Sequence, residues 1–211
     1  MPAYRLAPEH PFPAAVDDAL EAYDFLLRQG WRGDQISVAG DSAGGGLTLA
    51  LLLALRDRQL PLPKCAVVYS PYADVTMAQP SRRYNNSKDD MLSYRMLEVG
   101  MDVYVQNGDY ENPYASPVYG DYTGLPPLFI TVCEQEIFRD DAYRVADAAA
   151  DEGDAGTTPL FLEHFALRHL EELPRADEFA VALGAIERRL HSGQLFQAGR
   201  GLVDDLLRLE C

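Results

Sequence analysis

Cysteine is scarce in this 211-residue chain, and the three present, Cys65, Cys133 and Cys211, lie far apart. An odd count with no Cys-x-x-Cys excludes a disulfide framework and fits a reducing, cytoplasmic setting. Basic residues are also few, 18 Lys and Arg against 33 Asp and Glu, for a net charge of −15. That balance excludes nucleic acid and anionic membranes as natural partners. No apolar run approaches the ~20 residues of a membrane span. The opening Met1-Pro2-Ala3-Tyr4-Arg5 has no apolar stretch behind a basic one, so it does not read as a signal peptide. Internal repeats and low-complexity tracts are absent as well. Histidines number only four, His10, His164, His169 and His191, which narrows any search for a general base.

What the chain has is ordinary globular composition, 47% hydrophobic and 24% charged, and enough length for one sizeable domain. Its most informative stretch is Gly40-Asp41-Ser42-Ala43-Gly44, a Gly-x-Ser-x-Gly pattern. Gln35-Ile36-Ser37-Val38-Ala39 before it reads as a buried strand. Gly45 to Leu55 after it is too long and too rich in Leu and Ala for a strand, and reads as a helix. Strand, tight turn and helix is the arrangement that lifts a serine oxygen out of a sharp turn. Both flanking glycines are expected to be required by close packing. The helix start aims N–H groups and the positive end of the helix dipole at the serine.

Strand-like and helix-like segments alternate along the rest, which predicts α/β architecture: a mostly parallel sheet with helices on both faces. Ala14 to Arg28 is expected to be helical, with Asp17, Asp18, Glu21 and Asp24 on its wet side. Cys65 to Ser70 and Leu128 to Cys133 are expected strands, each entered through prolines. Between them, Tyr84 to Lys88 reads as a loop and Asp90 to Gln106 as a helix. Asp140 to Asp151 reads as an Ala-rich helix and Pro159 to Phe165 as a fourth strand. Helices are expected from about Leu170 to Leu190 and in a C-terminal extension over 193–211.

A serine nucleophile needs a base within hydrogen-bond reach and a carboxylate behind that base. In a hydrolase of this architecture the chain order is Ser, acid, His. His10 precedes the serine, and His191 reads as a solvated cap. His164 sits inside a strand pattern, whereas His169 lies on the loop past it, where a catalytic base belongs. For the acid, Glu134, Glu136 and Asp140 compete just past the Leu128 strand. Asp140 and Asp141 also suit the acidic first turn of the helix that follows.

At this point a family is recognisable. Tyr4-Arg5-Leu6-Ala7-Pro8-Glu9-His10-Pro11-Phe12-Pro13 resembles the segment that precedes the serine turn in bacterial hormone-sensitive-lipase-like carboxylesterases. Gly40 to Gly45, Ser70-Pro71-Tyr72-Ala73-Asp74, Asn112-Pro113-Tyr114-Ala115-Ser116-Pro117 and Leu125-Pro126-Pro127-Leu128 match the same family. The likeness runs over about residues 3–190. It implies an α/β-hydrolase fold with Ser42 as nucleophile, Glu136 as acid, His169 as base and Ala43 N–H as an oxyanion donor. Ala166 stands where the family's pattern before that histidine has a glycine, which keeps His164 as the alternative base.

The resemblance further implies a short-chain ester as substrate and no metal or organic cofactor. It makes residues 81–110 the second half of a helical lid over a single domain spanning 1–211. The family's upstream His-Gly-Gly-Gly oxyanion motif does not occur in the sequence. The expectation is therefore a chain that lacks the family's N-terminal part. Two readings follow, an esterase with an intact Ser-His-Glu triad, and an impaired relative that binds small molecules. Losing the neighbouring strand would also expose Ile36 to Gly40 as a sheet edge, so self-association as a homodimer or higher oligomer is expected.

Overall fold

Three short β-rich runs pair side by side into a parallel sheet in the order β1–β2–β3. The computed structural model describes residues 2–150. These lie within one compact unit, Met1–Phe161. The strands are β1 (Ser37–Asp41), β2 (Cys65–Tyr69) and β3 (Leu128–Thr131). Ser37 stands opposite Cys65 and Asp41 opposite Tyr69; on the other side of β2, Tyr69 stands opposite Thr131. All three C-terminal strand ends therefore share one edge, where loops of α/β sheets carry their ligands.

The expected first strand begins two residues later than its β-branched run suggested. Gly33–Gln35 forms a 3-10 turn, closed by the Ile36 N–H on the Gly33 carbonyl at 2.9 Å. Side chains alternate across the sheet. Ala66, Val68, Leu128 and Ile130 are buried on one face, while Val67 and Phe129 on the other are half-buried. Among the described residues the helices pack on the first face; the helix expected over about 170–190 lies outside them.

Helix α2 (Ala43–Asp57) is the hub. It is apolar almost all round, the signature of a helix enclosed by its neighbours. Leu49 and Leu52 pack on the sheet beside Ala142, Val145 and Ala146 of helix α5 (Arg139–Ala150). Ala50, Leu51, Ala54 and Leu55 pack on Val16, Ala19, Leu20 and Tyr23 of helix α1 (Ala14–Arg28). Leu52 has no exposure, so Leu52→Ala would cost about 2–5 kcal/mol.

Two short helices fill the segment between β2 and β3, α3 (Ser81–Tyr84) and α4 (Tyr94–Tyr104). Both differ from expectation. Helix α4 starts four residues later than its apolar pattern, because the Asp89 carboxylate captures the N–H groups of Met91 and Leu92 at 2.9 Å each. Ser93 then caps the helix, its Oγ accepting from the Met96 N–H at 3.3 Å. Helix α3 was not expected: it is one helical turn, with Ser81 and Arg82 fully buried, ahead of a turn at 85–88 within the expected loop. No described helix is long and apolar enough to cross a membrane.

Candidate active site

The turn between β1 and α2 holds Ser42 in a conformation that few non-glycine residues adopt, φ 55° and ψ −118°. Such a backbone costs on the order of 1–3 kcal/mol and persists only where its surroundings over-determine it. Here they do. The Ser42 N–H donates to the Tyr69 carbonyl at 2.9 Å, extending the β1–β2 ladder by one residue. Its carbonyl accepts from Gly46 N–H at 3.1 Å and from Tyr72 N–H at 2.9 Å. The backbone is pinned on both sides, which leaves the side chain to project from the turn.

Close approach sets the glycines. A Cβ on Gly40 would stand 2.0 Å from the Gly44 carbonyl oxygen and 2.6 Å from Thr48 Oγ1. One on Gly46 would stand 2.0 Å from the Tyr72 carbonyl oxygen. Gly44 differs: a Cβ there meets nothing within 4 Å. The expectation that both flanking glycines are sterically required is thus corrected. Gly40 and Gly46 are required, Gly40 because the end of β1 lies against the Gly44 carbonyl, Gly46 because α2 packs against the Tyr72 backbone.

Ala43 opens α2, so its N–H belongs to the first turn and has no acceptor within the helix. Glu136 lies on the turn that follows β3, at the same sheet edge as Ser42. The Ser70 hydroxyl and the Cys133 N–H lie close enough to its carboxylate to favour the charged form, while Oε2 is buried with no hydrogen-bond partner among the described residues. Burial pushes this carboxyl above its ordinary value of 4.5, the Ser70 and Cys133 groups oppose that, and the charges of Asp89 and Asp41 add to the rise. Ser70, at φ 42°, is held by its N–H on the Thr131 carbonyl at 2.7 Å, so β2 and β3 together aim its hydroxyl.

The competing acids are engaged elsewhere. Glu134 Oε1 lies 2.9 Å from Arg139 Nε, a charge contact without an aligned N–H. Asp140 accepts from the Ser81 N–H at 2.8 Å and from the Tyr84 hydroxyl at 2.8 Å. Asp141 is fully buried and accepts from the Ala73 N–H, the Asp74 N–H and Arg82 Nη2. Both aspartates do stand in the first turn of α5, as expected. Their contacts reach across the fold rather than only along the helix, and spacing alone carries no signal of that. The role of Ser70 was likewise missed; its place beside a proline at the end of a strand was the available signal. His164 and His169 lie outside the described residues.

A family model for the α/β hydrolase fold matches residues 1–164. The chain belongs to the α/β-hydrolase fold family. It is 42% identical over 184 residues to an acetyl-hydrolase of Streptomyces hygroscopicus, covering 85% of this chain and 62% of that one. It is 39% identical over 150 residues to an esterase of Acinetobacter venetianus, covering 69% and 48%. Among solved structures, an esterase from the bacterial hormone-sensitive lipase family superposes with a TM-score of 0.74 at 34% identity, covering 89% of this chain and 64% of that one. A hormone-sensitive lipase from a metagenome library gives 0.71 at 39% identity, covering 76% and 55%. The chain thus spans about half to two thirds of the relatives it matches, and its kinship is with hormone-sensitive-lipase-like esterases.

Proposed function

We propose that the protein hydrolyses short-chain carboxylic esters through Ser42, His169 and Glu136. One observation carries the reading: a strained serine at a helix N-terminus shares a sheet edge with a half-buried glutamate whose Oε2 is unpartnered among the described residues. The names of the relatives, acetyl-hydrolase and esterase, support the same chemistry.

In this mechanism the Ser42 oxygen attacks the ester carbonyl while His169 takes its proton. Glu136 accepts the other imidazole N–H, sets the tautomer and stabilises the imidazolium. The Ala43 N–H donates to the oxyanion. His169 returns its proton to the departing alcohol. Water then attacks the acyl-enzyme with the same histidine as base, releasing the acid and restoring Ser42. Nothing in these steps calls on a metal or organic cofactor. Residues 81–110 act as part of a lid over the substrate, and the protein works as a homodimer in the cytoplasm.

The second reading is a small-molecule-binding relative with weak turnover. Turnover of p-nitrophenyl acetate against p-nitrophenyl decanoate, with Ser42→Ala as control, separates the two. The esterase reading expects faster hydrolysis of the acetate, lost in the variant. Equal turnover by the variant removes Ser42 from the mechanism. Saturable binding of the ester without turnover supports the second reading.

A further inference from the structure

The turn that carries Glu136 is held by a residue from a distant part of the chain. Asn85 has no solvent exposure. Its Nδ2 donates to the Glu134 carbonyl at 3.0 Å and to the Glu136 carbonyl at 2.8 Å, using both of its N–H groups. Its Oδ1 accepts from Lys88 Nζ at 3.2 Å, so the amide is satisfied at both ends. The Asn85 backbone carbonyl accepts the Asp89 N–H at 2.9 Å and so sets where Asp89 stands. Asp89 Oδ2 in turn accepts the Ile137 N–H at 2.9 Å.

The Glu136 carbonyl and the Ile137 N–H are two ends of a single peptide group. Asn85 holds one end and Asp89 the other. A planar peptide group held at both ends is fixed in position and orientation, and with it the Glu136 Cα from which the carboxylate projects. Two local bonds also close the turn, the Glu136 N–H on the Cys133 carbonyl at 3.1 Å and the Arg139 N–H on the Glu136 carbonyl at 3.3 Å. No helix or strand covers Val132 to Phe138, so these long-range bonds do the holding.

We propose that Asn85 is a positioning residue for the triad acid: by donating to the Glu134 and Glu136 carbonyls, and by placing Asp89 against the Ile137 N–H, it fixes the direction of the Glu136 carboxylate. This rests on the reading of Glu136 as that acid. Asn85→Ala removes both donors. Asn85→Asp keeps the shape but sets carboxylate oxygens against two carbonyls.

The test is a double-mutant cycle with Glu136→Gln, followed by ester turnover and by amide exchange over residues 133–138. Misplacing a catalytic group by about 1 Å costs on the order of 10²-fold in rate. Asn85→Ala is therefore expected to lower kcat by about 10–100-fold with KM changed less than about threefold. In the Glu136→Gln background it is expected to lower kcat no further, because the group it positions has gone. Exchange at Glu136 and Ile137 should rise at least about tenfold, while β2 amides remain protected.

Equal losses in both backgrounds would overturn the proposal, because Asn85 would then act on the fold and not on the acid. Unchanged exchange over 133–138 in Asn85→Ala would overturn it as well, and that measurement needs no turnover. Full activity in Glu136→Gln alone would remove the acid assignment, a failure distinct from either of these.

Discussion

Arg82 and Asp141 form an ion pair with no solvent exposure on either side chain, Nη2 standing 2.5 Å from Oδ2. The rest of the guanidinium lies over aromatic faces, its carbon 4.9 Å from the Tyr72 ring centre and 4.7 Å from that of Phe138. Burial alone would lift the Asp141 carboxyl far above the usual range; Arg82 and the Ala73 and Asp74 N–H groups oppose this. The pair ties α3 to α5 and to the loop after β2, and so braces the segment that holds the Glu136 turn.

Breaking that pair from one side should be severe. Arg82→Met leaves a buried carboxylate without its charge partner and is expected to cost about 3–5 kcal/mol. In Arg82→Met/Asp141→Asn the amide oxygen can still accept from Ala73 and Asp74, and much of the loss should be recovered. Urea unfolding of the two variants checks this. A double variant as unstable as the single would mean that the guanidinium contributes through its aromatic contacts.

Glu136→Gln should trade activity for stability. A triad acid replaced by its amide is expected to lose on the order of 10³–10⁴-fold in kcat. The sign on stability follows from the raised carboxyl. Its folded value lies above the ordinary 4.5, so the folded state disfavours ionisation. That penalty is absent below about pH 4.5, grows as pH rises through the folded value, and is full above it. The Gln variant should therefore unfold later than the parent at pH 7, with the difference vanishing near pH 4. A pH series of thermal melts reads it.

The two nearest glycines in the Gly-x-Ser-x-Gly pattern should behave oppositely. Gly44→Ala is expected to stabilise the protein by about 0.5–1 kcal/mol, since Ala is the better helix residue and its methyl enters open space. Gly40→Ala drives a methyl into the Gly44 carbonyl and Thr48, and should destabilise by at least about 1–3 kcal/mol. Chemical denaturation of both variants gives the comparison. Equal effects would mean that the β1–α2 turn relaxes more easily than its contacts suggest.

His169→Ala is expected to abolish most ester turnover and His164→Ala to leave much more of it. The sequence pattern, which puts His169 past the last expected strand, motivates the ordering. A folded His164→Ala variant that proves the more damaged of the two would move the base to His164.

Self-association is expected through β1, which among the described residues pairs with β2 alone. Unpaired backbone groups beside Val38 and Ala39 form an edge that invites another strand. Sedimentation at micromolar concentration should show a dimer. A monomer at all concentrations would mean that the edge is covered from within the chain.

Much of this protein was decided locally. The Gly-x-Ser-x-Gly turn, the parallel strands beside it and the helices at 14–28, 43–57 and 139–150 were legible, because periodicity and close-packed glycine are short-range properties of the chain. The serine could be named for the same reason. What tertiary structure alone decided is the identity of neighbours across long sequence distances. Glu134, Glu136, Asp140 and Asp141 are similar carboxylates in one short stretch. They part company only when Ser81, Arg82 and Ser70 arrive from elsewhere and Arg139 turns to Glu134, since a carboxylate's role depends on which donors and which burial the fold supplies. The clamp on the Glu136 turn has the same cause: Asn85 and Asp89 spend polar atoms on the Glu134, Glu136 and Ile137 backbone groups, which only folding brings within reach.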